Sequence, residues 1–185
     1  MIRLALLLLL ILVPCLFGTA AATAAADKNV AALARKNADS ERSLAKADLL
    51  MLYKGERRLF LMRDGRVLGS YQVALGDNPI GHKTYEGDGR TPEGDYVIDY
   101  RLEDSDFHRA IRISYPNERD RAQAAAFGKS PGGQIMIHGL PNGFSANYVG
   151  HPYEDWTEGC IAVTNAEMDE IWQRVDLGTR IVIFP

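Results

Sequence analysis

The feature that most constrains the fold is an alternation of apolar and charged residues over residues 95–103, interrupted only at Val97. A shorter version of the same pattern recurs over residues 111–115. A period of two places successive side chains on opposite faces of a strand, so it predicts two strands of a sheet with one buried face. The side chains predicted to face the core are Tyr96, Ile98, Tyr100, Leu102, Ile111, Ile113 and Tyr115.

Two hairpins are predicted upstream of these strands. Short apolar runs at residues 49–53 and 59–62 are joined by a turn sequence at residues 54–56. Asp64 and Gly65 form a strong two-residue turn signal, because both positions tolerate a positive φ. The strand that follows is predicted to direct Val67, Tyr71, Val73 and Leu75 to one face.

Two helices are predicted in the second half of the chain. The first covers residues 116–127 and ends at Gly128, a residue type that suits the left-handed end of a helix. The second begins at Thr164, which has Glu167 three residues later, the spacing of a capping box. Met168, Ile171, Trp172 and Val175 recur at helical intervals and are predicted to lie in the core.

Two more strands and two long loops complete the pattern. Strands are predicted at residues 134–138 and 181–184, and glycine-rich loops at residues 76–94 and 139–156. These elements predict a mainly β, mostly antiparallel α+β domain over residues 49–185. In the first of these strands Ile135 and Ile137 share one face, and Gln134, Met136 and His138 share the other.

The N-terminal segment has the features of an export signal. Arg3 precedes a long apolar run, and an alanine-rich segment ending at Ala26 fits a cleavage site. Residues 1–26 are therefore predicted to be a signal peptide, or a membrane anchor if the run is not cut. Cys15 raises the alternative of a lipoprotein, which Pro14 directly before it disfavours.

Residues 27–48 connect this segment to the predicted domain. They are rich in alanine and charge, with few apolar residues, and predict a helical spacer. The expected location of the protein is outside the cytoplasm, in the periplasm or cell envelope. Contact with a membrane is expected only through the N-terminal segment, if it is uncleaved.

Charge and cysteine content narrow the function. The net charge of −3 provides no basic face, so nucleic acid is not an expected partner. Of the two cysteines, only Cys160 would remain after cleavage at Ala26. An unpaired cysteine in an oxidising compartment indicates intermolecular pairing or a reactive thiol.

A nucleophilic thiol requires a partner that accepts its proton, usually a histidine. All four histidines precede Cys160, an order that disfavours papain-like amidases. His138 is the preferred base, because it ends a predicted strand opposite the face of the two isoleucines. An inert buried cysteine remains an alternative, and a zinc site would need His138, His151 and Cys160 to converge. No metal and no cofactor is expected.

Other polar residues are interpreted as structural. His82 and His108 are predicted to be surface or hydrogen-bonded histidines. Glu86 and Asp88 lie in a polar loop and are predicted to be a solvated pair of carboxylates. Gly159, directly before the cysteine, would let backbone N–H groups approach a developing oxyanion.

The sequence around these residues resembles the L,D-transpeptidase catalytic domain family of the YkuD type. The resemblance rests on Ile-His-Gly at residues 137–139 and on Thr-Glu-Gly-Cys-Ile at residues 157–161. The family pattern is a histidine, a spacer, and Ser/Thr-His-Gly-Cys followed by a hydrophobic residue. The resemblance covers roughly residues 49–185 and includes the Thr-Pro-Glu-Gly turn at residues 91–94.

The resemblance implies an antiparallel sandwich or barrel whose cysteine attacks peptidoglycan stem peptides before a terminal D-alanine. It assigns Cys160 as the nucleophile and His138 as the base. It also implies that Gly139 orients the histidine, that Gly159 and Cys160 supply oxyanion N–H groups, and that Thr157 supports the loop.

Two positions depart from the family pattern. Glu158 replaces the usual histidine before Gly-Cys, and Ala162 replaces an arginine common two residues after the cysteine. An anion beside a thiol raises its pKa, and loss of the cation removes a partner for a substrate carboxylate. Tyr148 and Trp156, in the long spacer, are candidate substrate-binding residues.

Three functions follow as hypotheses. The first is an exported cysteine acyltransferase that acts on peptidoglycan stem peptides in cell-wall biogenesis and cell shape. The second uses water as acceptor, as an L,D-carboxypeptidase or in releasing a peptidoglycan-attached lipoprotein. The third is a non-catalytic domain that binds the cell wall.

Overall fold

The computed structural model describes residues 45–185 and four earlier positions, 30, 32, 33 and 36. Those four residues are helical and exposed to solvent. The predicted signal or anchor at residues 1–26, Cys15 included, and most of the predicted spacer lie outside the described residues. Within the described part of the chain, no helix is both long and apolar enough to cross a membrane.

Residues 45–185 form a curved sheet with two helices, which confirms the predicted mainly β class. Helix α1 (Glu118–Ala126) and helix α2 (Asn165–Arg174) both follow the fifth strand of the chain. The strands are β1 (Leu49–Tyr53), β2 (Arg58–Arg63), β3 (Arg66–Gln72), β4 (Gly94–Ser105), β5 (His108–Ile113), β6 (Met136–His138), β7 (Ile161–Ala162) and β8 (Arg180–Phe184).

The strands are ordered β3-β2-β1-β8-β4-β5-β6-β7, and only the pairs β1/β8 and β6/β7 are parallel. The two ends of this order meet, because Ala74 just beyond β3 pairs with Ala162 of β7. Each donates its N–H to the carbonyl of the other, at 3.0 and 2.8 Å. The sheet thus closes on itself beside Cys160, consistent with the barrel-like form that the family resemblance implies.

The local signals for turns and helix ends are confirmed. Asp64 and Gly65 have φ values of 49° and 72° in the turn between β2 and β3. Thr164 caps α2, and its side chain and that of Glu167 satisfy each other's backbone N–H groups. Gly128, just beyond α1, has a φ of 67°. The apolar face of α2 packs into the core through Met168, Ile171 and Val175, with Trp172 partly buried beside them.

One predicted core position in β3 is wrong because a β-bulge reverses the alternation. The pairing between β2 and β3 moves from Leu61–Gly69 to Met62–Val67, which inserts one extra residue into β3. Residues before the bulge therefore change face. Val67 is 42% exposed, whereas Tyr71 beyond the bulge is buried as predicted.

A second bulge has the same effect in β4. The pairing with β5 shifts between Ile98 and Tyr100, so Tyr100 faces outward and is 46% exposed. Arg101, predicted to face solvent, instead places its guanidinium 3.8 Å from the ring centroid of Trp172. The bulge lets the first half of β4 pair with β8 and the second half with β5.

Candidate active site

The parallel pair β6/β7 places the histidine and the cysteine on one face of the sheet. His138 lies opposite Ala162, so Met136 and Cys160, two residues earlier in each chain segment, are neighbours in the same register. Because the side-chain period is two, His138 projects from the same face as Met136 and Cys160. Ile135 and Ile137 are buried on the other face, which confirms the prediction for this strand.

A cavity of about 620 Å³ opens over this face and is lined by both His138 and Cys160. Its walls are mostly apolar and aromatic. We term it the histidine cavity; the side chains that define it are Phe107, Met136, His138, Pro141, Trp156 and Cys160.

The imidazole of His138 is buried beneath aromatic rings. Its ring centroid lies 4.6 Å from that of Phe107 and 5.7 Å from that of Trp156. Nδ1 lies 2.7 Å from the carbonyl oxygen of Gly139. A carbonyl can only accept, so Nδ1 carries the proton and Nε2 keeps its lone pair. Burial lowers the pKa of His138 to about 4, so the ring is neutral at neutral pH and able to accept a proton.

Gly139 is required by the packing that holds this carbonyl in place. A Cβ at this position would lie 2.6 Å from Asn165 Oδ1 and 2.9 Å from the Cβ of His108. Asn165 Oδ1 also accepts the N–H of Leu140 at 2.8 Å. The chain beyond β6 is thereby fixed to the first residue of α2, and the acceptor for His138 Nδ1 is fixed with it.

The thiol of Cys160 is partly exposed, and its Sγ lies 3.5 Å from the carbonyl oxygen of Gln134. Burial raises the pKa of this thiol, and the nearby charge of Glu158 adds to the rise. A hydrogen bond from the Met136 N–H and the charge of Lys83 oppose it in part. The resting pair is therefore a thiol and a neutral imidazole rather than an ion pair.

The turn before Cys160 is held by side-chain hydroxyls. Thr157 Oγ1 donates to the Cys160 carbonyl at 2.8 Å and accepts the Gly159 N–H at 3.2 Å. A Cβ on Gly159, whose φ is 125°, would lie 2.5 Å from the Arg90 carbonyl oxygen. Thr91 Oγ1 donates to the Gly159 carbonyl at 2.9 Å. Gly159 is therefore needed for close contact with the loop at residues 76–94.

These hydrogen bonds determine which of the two candidate oxyanion donors is available. The Gly159 N–H is already engaged by Thr157. The Cys160 N–H donates no hydrogen bond within the described part of the chain. Of the two N–H groups considered from the sequence, that of Cys160 is therefore the one available to a developing oxyanion.

A second, smaller cavity of about 200 Å³ lies on the other side of Cys160. We term it the lysine cavity, defined by Lys83, Glu86, Gly132, Gln134, Glu158 and Cys160. It contains charged groups, whereas the histidine cavity is mostly apolar. Cys160, Gln134 and Glu158 line both.

Lys83, which lines the lysine cavity, belongs to a buried ion pair. Lys83 Nζ lies 2.8 Å from Asp88 Oδ1, and both side chains are 3% exposed. Burial raises the pKa of Asp88, but hydrogen bonds from Lys83 and from the N–H groups of Thr84, Arg90 and Tyr85 outweigh it and hold this pKa at about 2. The prediction of a solvated Glu86/Asp88 pair is wrong for Asp88, because the surrounding loop buries its side chain. The prediction is correct for Glu86, which is exposed.

The long spacer contributes unequally to the site. Trp156 lines the histidine cavity and stacks near Phe107, with ring centroids 6.3 Å apart. Tyr148 is 73% exposed, packs at a tilt against Phe144 and does not line either cavity. His151 is buried and its Nδ1 has no hydrogen-bond partner among the described residues. Glu158 is exposed and forms no hydrogen bond with His138.

The remaining histidines are hydrogen-bonded outside both cavities, as predicted. His82 Nδ1 accepts the Glu93 N–H at 3.0 Å, and His108 Nε2 lies 2.8 Å from Asp169 Oδ1. Among residues 45–185, no three His, Cys, Asp or Glu side chains are grouped so that they could hold a metal ion.

The chain is similar to known proteins over most of its described length. A family model described as the L,D-transpeptidase catalytic domain, YkuD, matches residues 47–183. YafK of Escherichia coli strain K12, a candidate L,D-transpeptidase, is 28% identical over 184 residues, covering 94% of this chain and 63% of YafK. The chain thus spans less than two thirds of the length of this curated relative.

Two solved structures give the same fold. The helical cell shape determining protein Pgp2 from Campylobacter jejuni is 25% identical, with a TM-score of 0.56 over 73% of this chain and 46% of that chain. Bd1075 from Bdellovibrio bacteriovorus is 22% identical, with a TM-score of 0.50 over 76% of this chain and 48% of that chain.

Proposed function

Because this chain belongs to the L,D-transpeptidase catalytic domain family of the YkuD type, we propose that it is a cysteine acyltransferase that acts on peptidoglycan stem peptides. The observation that carries the proposal is that Cys160 and a neutral His138 line the same cavity. Nδ1 of the histidine is occupied by the Gly139 carbonyl, and Nε2 is free to take a proton.

The first step transfers an acyl group to sulfur. Nε2 of His138 takes the thiol proton as Sγ of Cys160 attacks the scissile carbonyl carbon of the stem peptide. The carbonyl oxygen becomes an oxyanion, which the Cys160 N–H stabilises. Collapse of this intermediate breaks the C–N bond, and the proton on Nε2 passes to the leaving nitrogen of the terminal residue.

The second step regenerates the enzyme. An acceptor nucleophile loses a proton to Nε2 and attacks the thioester, and Cys160 leaves as thiolate and is reprotonated. An amine acceptor gives a cross-link or an attached protein, and water gives a trimmed stem peptide. Glu158 and Ala162, the two departures from the family pattern, are the reason to keep water as the alternative acceptor, including release of a peptidoglycan-attached lipoprotein.

The same proposal places the domain outside the cytoplasm. Residues 1–26 act as a signal peptide or anchor, residues 27–48 as a spacer, and residues 49–185 as the catalytic unit. The proposed process is cell-wall biogenesis. The similarity to the cell shape determining protein Pgp2 supports a role in cell shape. Accessibility of the tagged full chain to external protease in spheroplasts tests the location.

Product analysis on defined muropeptides tests the activity. The full chain is incubated with a stem tetrapeptide, with and without an amine acceptor. The masses of the products and of the enzyme are then measured by mass spectrometry. We expect an acyl-enzyme on Cys160, loss of the terminal residue, and an amine adduct when the acceptor is present. Hydrolysis alone, even with the amine, selects the water alternative.

Two variants make the test specific. Cys160→Ala should abolish turnover and covalent labelling by a carbapenem, whereas Tyr100→Phe, at an exposed position of β4 outside both cavities, should retain them. Absence of turnover and labelling in the unaltered chain would contradict the acyltransferase and support the third hypothesis, a non-catalytic domain that binds the cell wall. Turnover that survives in Cys160→Ala would remove Cys160 from the mechanism.

A further inference from the structure

The two cavities that meet at Cys160 differ in the charge they offer to a substrate. The histidine cavity has no cation among its lining residues, because His138 is neutral. The lysine cavity has Lys83 among its lining residues. A peptide whose carbonyl carbon lies at Sγ must extend away from the sulfur in two directions, and only one of them leads to a positive charge.

Lys83 has capacity for a further ligand. Its ammonium donates to Asp88 Oδ1 at 2.8 Å and to the Tyr85 carbonyl at 3.2 Å. An ammonium has three N–H donors, and the third has no acceptor among the described residues. The side chain is 3% exposed, so a bond to an anion here is little screened by solvent.

The carboxylate of Asp88 is not bound by Lys83 alone. Asp88 also accepts hydrogen bonds from three backbone N–H groups, those of Thr84, Tyr85 and Arg90, at 2.7, 3.2 and 3.1 Å. Its negative charge is therefore shared with the loop. Lys83 and Cys160 line the same cavity, so this ammonium lies on the side of the sulfur away from the histidine cavity.

The chemistry of the substrate places an anion close to this cation. In a stem peptide that is cleaved before its last residue, the terminal carboxylate carbon is three bonds from the scissile carbonyl carbon. When that carbonyl lies against Sγ, the carboxylate must lie in one of the two cavities. An aromatic cavity without a cation desolvates a carboxylate at a cost, whereas a buried ammonium stabilises it.

We propose that the lysine cavity is the carboxylate subsite of this enzyme, in which Lys83 binds the terminal carboxylate of the residue that leaves. This inference rests on the proposed function. It makes Lys83 a specificity-determining residue that distinguishes a free C-terminus at the scissile bond from an extended or amidated one. Glu86 and Glu158 also line the cavity, but both residues are exposed, so solvent screens their charges more than that of the buried ammonium.

The first test needs no enzymatic activity. Cys160 in the full chain is alkylated with iodoacetate, which carries a carboxylate, and with iodoacetamide, its neutral counterpart. In both reactions the thiolate displaces iodide, so a change in the thiol pKa affects both rates equally and cancels in their ratio. We expect Lys83→Met to lower the iodoacetate-to-iodoacetamide ratio at least about threefold, and Lys83→Arg to preserve it.

Two variants of the Lys83/Asp88 ion pair serve as controls for misfolding. Lys83→Met leaves Asp88 buried without its cation, and the double variant Lys83→Met/Asp88→Asn removes both charges together. Circular dichroism and thermal unfolding identify which variants are folded at the assay temperature. An unchanged reagent ratio in either folded variant would overturn the proposal.

The second test uses the substrate. A stem tetrapeptide with a free terminal carboxylate is compared with the same peptide ending in a carboxamide. We expect the full chain to prefer the carboxylate by about 10- to 100-fold in kcat/KM, the effect of one charge-assisted hydrogen bond, mainly through KM. Lys83→Met should lose this preference, and Lys83→Arg should keep most of it.

The outcomes separate this proposal from the proposed function. If the unaltered chain cleaves neither peptide, the proposed function fails, and the reagent ratio still tests Lys83. If it cleaves both equally, or if Lys83→Met keeps the preference, the carboxylate subsite fails while the acyltransferase stands.

Discussion

The two cavities that share Cys160 use burial in opposite ways. In the histidine cavity burial removes charge, because it holds the pKa of His138 at about 4 and leaves a neutral base. Beside the lysine cavity the buried carboxylate that pairs with Lys83 stays charged, because its partners hold the pKa of Asp88 at about 2. One side of the sulfur is thus suited to proton transfer and the other to holding an ion.

The difference comes from the partners of each buried group. His138 is paired through Nδ1 with a neutral carbonyl, which compensates little of the cost of burying a positive charge. Lys83 and Asp88 face each other, and backbone N–H groups bind the carboxylate further. A buried ionisable group keeps its charge only where such bonds offset the free energy lost when the group is removed from water.

The largest expected effect comes from a substitution that changes the histidine cavity alone. His138→Gln keeps a polar side chain of similar reach but cannot accept and return a proton. We expect kcat/KM on the stem tetrapeptide to fall by about 1,000-fold, equivalent to about 4 kcal/mol of transition-state stabilisation.

The matched control for this variant is His108→Gln. His108 is hydrogen-bonded to Asp169 outside both cavities, and its variant should stay within about twofold of the unaltered chain. Equal losses in the two histidine variants would assign the effect to folding rather than to proton transfer.

The second effect is the acid sensitivity of the histidine cavity. The folded pKa of His138 lies below the ordinary value of 6.5, so below pH 6.5 the unfolded chain binds a proton that the folded chain does not. The free energy of unfolding should therefore fall by up to about 3 kcal/mol as the pH drops from 6.5 to 4. Urea denaturation at pH 7 and pH 4.5 should show that His138→Gln lacks this part of the loss, and parallel losses in the two proteins would contradict it.

Sequence reasoning succeeded where the determinants are local. The hairpin at Asp64 and Gly65 and the cap formed by Thr164 and Glu167 depend on residues that are neighbours along the chain. The bulge that exposes Val67 depends on how two strands pair, which no local pattern records. The closure through Ala74 and Ala162 is also a long-range pairing, and only the family resemblance implied it.

The same distinction applies to the site. His138 and Cys160 were identified from residue type and order, because few thiols and histidines were available to choose from. The lysine cavity was missed, because segments near residues 83, 132 and 158 meet only in the folded chain. A lysine and an aspartate five residues apart in a glycine-rich loop were the available signal, and Asp88 was interpreted as solvated.

The third effect tests the buried ion pair. Asp88 has a folded pKa of about 2 against an ordinary 3.8, so it stabilises the fold above pH 3.8, and this stability is lost as the pH falls toward 2. Asp88→Asn should lower the free energy of unfolding at pH 7 by about 2 kcal/mol.

The control for this variant is Asp64→Asn, which changes an exposed side chain in a turn where asparagine tolerates the positive φ. Its free energy of unfolding at pH 7 should change by less than about 0.5 kcal/mol. The acid window of Asp88 lies below that of His138, so urea denaturation across both windows separates the two cavities. A common window would show that they are not independent.

The smallest effect concerns the carboxylate that lines both cavities. The charge of Glu158 raises the pKa of Cys160 and that of Lys83 opposes it, so neutralising either should change thiol reactivity in opposite directions. Glu158→Gln should speed alkylation by iodoacetamide at pH 7.5 about threefold, and Lys83→Met should slow it. Because Glu158 is exposed and Lys83 is buried, about 1 M salt should abolish the first change and leave most of the second. Equal sensitivity to salt would mean that the two charges do not differ in burial around the sulfur, and the contrast between the cavities would then rest on residue type alone.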